Sequence, residues 1–227
     1  MQELRTGDRA FIRELNTSIV LDCIRKHEPV SRAEIARITG LGRSTVSGIV
    51  AALQESGLVV SAGTAPSTGG RKPDLLALAE NAFFAVGIKI EPQHVRAALT
   101  DLRGAVIAES VTSLHGKESD HVLAGLRTVY DELTVRLPSS SVLGVGIALP
   151  GLVDPAAGLS IDPHFFRWRN LPLRDAAEKM WQLPVWVEND ARAGALGEKW
   201  ALSSDADPSF LFVTVGVGIG AGIVLKG

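Results

Sequence analysis

A single cysteine, Cys23, stands in a chain of 227 residues. That excludes an internal disulfide and any multi-cysteine zinc site formed within the chain. Its place in an apolar helical repeat reads as a core position ahead of a reactive thiol. No uninterrupted apolar run reaches the roughly 18 residues of a membrane span, so none is expected. The N-terminus, M-Q-E-L-R-T-G-D-R, lacks the apolar core of a signal peptide, which points to the cytoplasm. Charge of one sign is missing too, with a formal net charge of −2 at pH 7. What is abundant is apolar mass, 46% against 21% charged, enough for one large or two modest domains.

Divided along the chain, the charge says more. Residues 1–80 carry 10 Lys/Arg and 9 Asp/Glu, and within 31–72 five basic residues face two acidic ones. A small basic region on a mildly acidic remainder permits nucleic-acid binding at one end without proving it. Ile12, Leu15, Ile19, Val20, Cys23 and Ile24 recur at helical spacing, predicting a helix over 9–27 that Pro29 ends. Ser31-Arg32-Ala33-Glu34 is a capping box opening a short helix over 31–39, with Ile35, Ala36 and Ile38 available for packing. After the turn Gly40-Leu41-Gly42, a third helix over about 43–56 buries Val46, Ile49, Val50 and Leu53 and stops at Gly57.

Three helices with a tight turn before the third make a helix-turn-helix. The other face of the third helix shows Arg43, Ser44, Thr45 and Ser47, groups suited to base edges and phosphates, with Ser31 and Arg32 beside them as further candidate DNA contacts. A protein-interaction module with a solvated polar face is the competing reading. Strands at 58–60 and 74–78 then flank S-T-G-G-R-K-P, where Arg71 and Lys72 give a wing tip two cations for phosphates or a minor groove. Double-stranded DNA is the better account, with a homodimer expected from paired half-sites.

Beyond Glu80 the pattern is α/β. Strands are expected at 83–90, 94–101, 105–112 and 142–149, helices at 118–137 and 171–182, and a loop over 152–170. The stretch V-W-V-E-N-D-A-R-A-G-A-L-G-E-K-W (185–200) reads as strand, turn and small-residue helix. Asn189 and Asp190 fall at the strand's carboxyl end, where ligands bind in open α/β sheets. An amide beside a carboxylate suits a pair of sugar hydroxyls, and it equally suits a helix N-cap. A hairpin over 209–215 and 220–225 follows. Its apolar residues Phe210, Leu211, Phe212, Val213, Val215, Ile219, Ile223, Val224 and Leu225 are expected to need cover from a second lobe.

Taken in order, residues 31–47, 67–73, G-I-A-L-P-G-L-V-D-P (146–155), L-P-V-W-V-E-N-D-A-R-A-G-A-L-G-E (183–198) and V-G-V-G-I-G-A-G-I-V-L-K-G (215–227) resemble the ROK family of repressors, open reading frames and sugar kinases. The resemblance covers essentially the whole chain. It implies an α/β fold with an N-terminal winged helix-turn-helix (1–80), the first lobe of an actin-like ATPase (ribonuclease H-like) domain (81–208), and an incomplete second lobe (209–227). It also implies sugar contacts at Asn189, Asp190, His164 and Gly151, with Asp190 at the kinase general-base position. The family's kinase loop D-x-G-G-T is replaced: Lys89 stands for the Asp, Glu91-Pro92 for the glycines, Gln93 for the Thr, and Val217 for the Thr of the second loop. Proline removes an amide donor and glutamate repels phosphate, so no catalytic residue and no ATP use are expected. His164 replaces a sugar-contacting Asn, which bears on ligand identity. The family's zinc motif, and the zinc it would hold, are expected beyond this chain, read as a fragment or a truncated product, so no cofactor or metal is assigned. The resemblance therefore implies a DNA-binding repressor of carbohydrate-utilisation genes, answering to a sugar or sugar-phosphate effector. A sugar kinase with a fused DNA-binding domain, and a DNA binder that does not sense, are the alternatives.

Overall fold

The computed structural model describes residues 9–64, 73–138, 141–202 and 209–225. They fall into two compact units, divided between Phe83 and Phe84.

The first unit runs α1 (Arg9–His27), β1 (Val30–Ser31), α2 (Arg32–Thr39), α3 (Arg43–Glu55), β2 (Val59–Thr64) and β3 (Asp74–Leu78). Val20, Ile24, Ile35, Val46, Val50 and Leu76 are wholly buried and tie the three helices to the small sheet. Each such side chain contributes about 1.5–3 kcal/mol relative to exposure. Helix α2 starts where its capping box dictates. The Glu34 amide donates to Ser31 Oγ at 3.3 Å, and the Ser31 amide donates to the Glu34 carboxylate at 3.0 Å. Gly40, at φ 69°, ends it in the left-handed region that glycine adopts without strain.

Two expectations change here. Only Val20, Cys23 and Ile24 of α1 are buried, whereas Ile12, Leu15 and Ile19 are 48%, 50% and 38% exposed and Ile38 of α2 is 41% exposed. Periodicity marks an apolar face but does not supply a neighbour for it. The wing sheet also gains a third strand: β1 pairs antiparallel with β3, Val30 opposite Leu76, giving the order β1-β3-β2. Two residues are too few to carry a period, so β1 has no signature in the sequence.

The second unit runs β4 (Phe84–Ile90), β5 (His94–Asp101), β6 (Val106–Ser113), α4 (Ser119–Thr134), β7 (Val142–Leu149), β8 (Leu152–Asp154), β9 (Leu159–Asp162), α5 (Leu173–Trp181), β10 (Val185–Asn189), α6 (Asp190–Ala201), β11 (Phe210–Val215) and β12 (Ile219–Val224). Its main sheet has the order β10-β7-β4-β5-β6, parallel through β10, β7 and β4 and antiparallel through β5 and β6. Alternation along β4 buries Phe84, Val86, Ile88 and Ile90. In register, Ile88, Ile147 and Val187 line up across three strands and join one core with Val122, Leu126 and Val129 of α4 and Leu173 and Ala177 of α5. Because Lys89 sits opposite Ala148, and Ala148 opposite Glu188, the three parallel strands end level with one another. The chain therefore leaves the sheet at Glu91, Pro150 and Asp190 along a single edge. The expected loop over 152–170 is partly ordered as the β8–β9 hairpin, whose strands of three and four residues again fall below the length at which alternation is legible.

Candidate functional site

Outside that sheet edge lies a cavity of about 990 Å³. Asn189, Asp190, Gly151 and His164 all line it, and so do Lys89, Glu91, Pro92 and Gln93 from the β4–β5 turn and Thr214 to Gly220 from the β11–β12 turn. Lys89 and Asp190, 101 positions apart in the chain, thus meet because parallel strands deliver their carboxyl ends to one crevice, and the β11–β12 turn adds a further wall.

Asn189 caps α6. Its Oδ1 accepts from the amides of Ala191 and Arg192 at 3.0 and 3.2 Å, while its Nδ2 donates to the Gly151 carbonyl at 3.1 Å. The side chain is therefore a strut between β10, α6 and the turn after β7, with capacity left for one further amide hydrogen bond. Asp190 contributes one oxygen to the Ala191 amide at 2.9 Å and keeps the rest of its carboxylate for the cavity. Gly151 has φ 93°, and a Cβ there would lie 2.5 Å from the Asp162 carbonyl and 2.6 Å from Pro163 Cα. No other residue fits. That close approach carries Pro163 into a turn, with the Phe166 amide on the Pro163 carbonyl at 2.8 Å, which presents exposed His164 to the cavity.

The small residues of α6 have a specific partner. A Cβ on Gly194 would sit 2.2 Å from the Phe212 ring, and one on Gly222 would sit 2.6 Å from Ala195 Cβ. The β11–β12 hairpin thus lies on α6 and hangs its Gly216–Gly220 turn over the cavity. This corrects the expectation for three of the nine apolar hairpin residues. Val224 is buried and Phe210 and Phe212 are half-buried against the helix side, leaving Leu211, Val213, Val215, Ile219, Ile223 and Leu225 exposed. A two-stranded ribbon has two faces, and alternation assigns one of them to α6.

At the β4–β5 turn, Glu91 accepts from Arg96 Nε at 2.8 Å and pairs with Lys89 Nζ at 3.5 Å. Both cations are thereby committed to a carboxylate on the cavity wall, and Pro92 beside it has no amide to donate. Among the described residues no group of three or more His, Cys, Asp or Glu could hold a metal ion, and Cys23 is buried in the first unit, so these residues do not fit a zinc site. Lys117, from the loop before α4, also lines the cavity. Sequence reasoning missed it because a lone lysine in a polar loop is indistinguishable from a solvated one.

In the first unit, Arg43, Ser44, Thr45 and Ser47 are all exposed on one face of α3. The α3 N-cap is Gly42 and makes no side-chain cap bond, so the first amides of that helix remain open to an anion. Two residues of the expected DNA-contact set are engaged by partners within the unit instead. Ser31 is 5% exposed, its hydroxyl engaged with Glu34 at 2.8 Å. Arg32 reaches Asp74 at 3.1 Å and Gln54 at 2.8 Å, joining α2 to α3 and β3. The Ser61 hydroxyl, with help from Arg32, holds the Asp74 carboxyl below its ordinary range. A capping box needs its serine pointed back at the helix, which withdraws it from any partner. Arg71 and Lys72 lie outside the described residues.

Comparison with known proteins fits this arrangement. Residues 85–227 match the model of the ROK family, and residues 14–71 match that of the MarR family. The xylose repressor of Bacillus subtilis (strain 168) is 30% identical over 222 residues, covering 97% of this chain and 58% of that protein, so the chain spans little more than half its relative's length. A crystal structure of a ROK family transcriptional regulator, a homologue of the E. coli MLC protein, superposes with a TM-score of 0.81 at 27% identity, over 95% of this chain and 55% of that one. A ROK family glucokinase from Streptomyces griseus, in complex with glucose and AMPPNP, superposes with a TM-score of 0.57 at 26% identity, over 63% of this chain and 45% of that one.

Proposed function

The chain belongs to the ROK family, and from that premise we propose that it is a DNA-binding repressor of carbohydrate-utilisation genes whose operator affinity is set by a sugar effector. The observation that carries the reading is that two separate compact units each present one of the surfaces such a protein needs. The first offers the exposed Arg43, Ser44, Thr45 and Ser47 on a helix with an uncapped N-terminus, suited to phosphates and base edges. The second offers a cavity on which Asn189, Asp190, Gly151 and His164 converge.

Asp190 and the spare amide proton of Asn189 are the groups we assign to sugar hydroxyls, with His164 as a further contact. Asp190 occupies the kinase base position without a kinase's phosphate site. Glu91 engages both Lys89 and Arg96, so neither cation is free for nucleotide phosphates, and Pro92 removes an amide donor. Phosphoryl transfer rests almost wholly on such donors and on metal-bound charge, so the chain senses sugar without phosphorylating it. Two copies bind paired half-sites, in the cytoplasm.

The test is a titration of the full-length protein with duplex DNA from upstream of its own gene, with and without xylose and other aldoses. Arg43→Ala should weaken binding on all sequences and lower the salt slope by about one, as loss of one phosphate contact does. Asp190→Ala should keep DNA affinity without sugar and lose the response to it, because a site built around hydroxyls loses most when one partner is removed. Sugar response retained in Asp190→Ala would reduce the Asn189-Asp190 pair to a helix cap.

A further inference from the structure

We infer that Gly48 sets how deeply α3 seats in the major groove of duplex DNA, so that this glycine governs operator specificity although it weakens its own helix. The inference rests on the DNA-binding reading above and adds the residue that controls how closely the helix approaches the bases.

Glycine is the poorest helix former after proline, so a glycine inside a helix calls for a physical reason. Among the described residues the α-helices hold four: Gly48, Gly125, Gly194 and Gly197. Two have their reason within the fold. A Cβ on Gly125 would lie 3.1 Å from Val95 and 3.2 Å from Leu114, and one on Gly194 would lie 2.2 Å from the Phe212 ring. Around Gly48, among the described residues, nothing stands within 4 Å of where a Cβ would be, and its helical backbone is one that alanine adopts freely. A local rule broken with no compensation inside the fold points to function. Openness by itself names no partner, since Gly197 of α6 is open too. The face that Gly48 occupies names it.

Val46, Ile49, Val50 and Leu53 fix the buried side of α3. At about 100° per residue, the line directly opposite them runs through Ser44, Gly48 and Ala51, all exposed, with Thr45 and Ser47 on its flanks. An α-helix with its side chains is about 10–12 Å across, close to the roughly 12 Å width of the major groove. A helix on that scale enters with little room to spare. At Gly48 its outermost line falls back to the backbone, whose Cα atoms lie about 2.3 Å from the axis. The hydroxyls of Ser44, Thr45 and Ser47 stand on short side chains, so they reach base edges only if the backbone between them comes close. Glu55 continues the same line about 10 Å further along the axis, at the far end of the helix. Its charge therefore favours entry of α3 by its N-terminal half, the half that carries Arg43 and Gly48.

The test uses the full-length protein and two duplexes of equal length, the DNA upstream of its own gene and a scrambled version of it. Wild type is compared with Gly48→Ala, Gly48→Leu and Gly197→Ala at one fixed salt concentration. Alanine and leucine are both better helix formers and the space is open, so both Gly48 variants should raise the Tm of the first unit by about 4 °C or more. Affinity for the upstream duplex should fall at least about fivefold in Gly48→Ala, as much as one mismatched base pair costs, and further in Gly48→Leu. Affinity for the scrambled duplex should change by less than about twofold, because phosphate contacts carry it. Gly197→Ala should leave the ratio of the two affinities unchanged. A more stable protein that discriminates less is a result that a merely structural role for Gly48 does not produce. Unchanged affinity of Gly48→Ala for the upstream duplex overturns the inference while the DNA-binding reading stands. A lower Tm overturns it as well, because the glycine then has its reason inside the fold. So does an equal loss on both duplexes, which sets Gly48 against phosphates instead of bases. If wild type does not prefer the upstream duplex, the operator reading falls, and this inference with it.

Discussion

Ser31→Ala separates two roles that the sequence alone leaves superimposed, a helix cap and a DNA contact. The substitution removes the hydroxyl that accepts from the Glu34 amide at 3.3 Å and donates to its carboxylate at 2.8 Å, leaving the bond from the Ser31 amide at 3.0 Å in place. Loss of such a cap costs about 1 kcal/mol, within a range of roughly 0.5–2. For a unit of this size that corresponds to a fall of about 4–8 °C in Tm, read by circular dichroism. The penalty should depend on pH with a definite sign. The Ser31 amide, and then its hydroxyl, hold the Glu34 carboxyl below its ordinary value. A depressed carboxyl stabilises the folded state above the unfolded glutamate pKa, about 4.3, and that contribution is lost as pH falls through the folded value. The gap between wild type and variant should therefore be widest near neutrality and narrow in acid, where the bond from the Glu34 amide to the Ser31 hydroxyl still separates them. DNA affinity, measured well below the melting range, should change by less than about twofold, since Ser31 is 5% exposed. Unchanged Tm with a tenfold loss of DNA affinity would refute the structural assignment and restore Ser31 as a contact.

Two further substitutions test how the cavity is built. Gly194→Val places a branched side chain where even a Cβ lies 2.2 Å from the Phe212 ring. Overpacking of this kind costs about 1–3 kcal/mol, so amide exchange should accelerate across β11 and β12, and adding Phe212→Ala should slow it again. Undisturbed exchange in Gly194→Val would show that the hairpin does not rest on α6. Asn189→Ala removes both the α6 cap and the strut to Gly151, whereas Asn189→Asp keeps a capping oxygen but cannot donate to the Gly151 carbonyl. Stability should thus recover in Asn189→Asp by about 1 kcal/mol relative to Asn189→Ala, while sugar affinity stays low. Equal sugar affinity in Asn189→Asp and wild type would mean that the amide matters neither to the turn nor to the ligand.

Where a structural decision is made between residues three or four apart, the sequence was sufficient. The span of α1, the capping box of α2, the stop at the left-handed Gly40 and the buried face Val46, Ile49, Val50 and Leu53 of α3 all follow from spacing and from local hydrogen bonding. So did the strand–turn–helix that ends at Asn189 and Asp190, because an N-cap is satisfied by the amides of its own next residues. Convergence of Asn189, Asp190, Gly151 and His164 on one cavity was expected from resemblance rather than from spacing.

Only the tertiary structure decided which surface covers which. Ile12, Leu15 and Ile19 remain 38–50% exposed among the described residues, while Phe212 finds Gly194 and Gly151 finds Asp162, pairs that local spacing does not specify. Arg32 sits in a basic segment, and its guanidinium became structural because β3 returned Asp74 to its side, 42 residues later. Lys117 lines the cavity, and its loop is tied to the turn after Pro163 by the Arg167 amide on the Lys117 carbonyl and by the Arg167–Glu118 ion pair. The physical reason is the same in each case. Helix caps and apolar periods are energies of neighbours along the chain, whereas packing partners, committed charges and cavity walls are energies of neighbours in space, set only when the sheet order β10-β7-β4-β5-β6 brings distant strand ends to one edge.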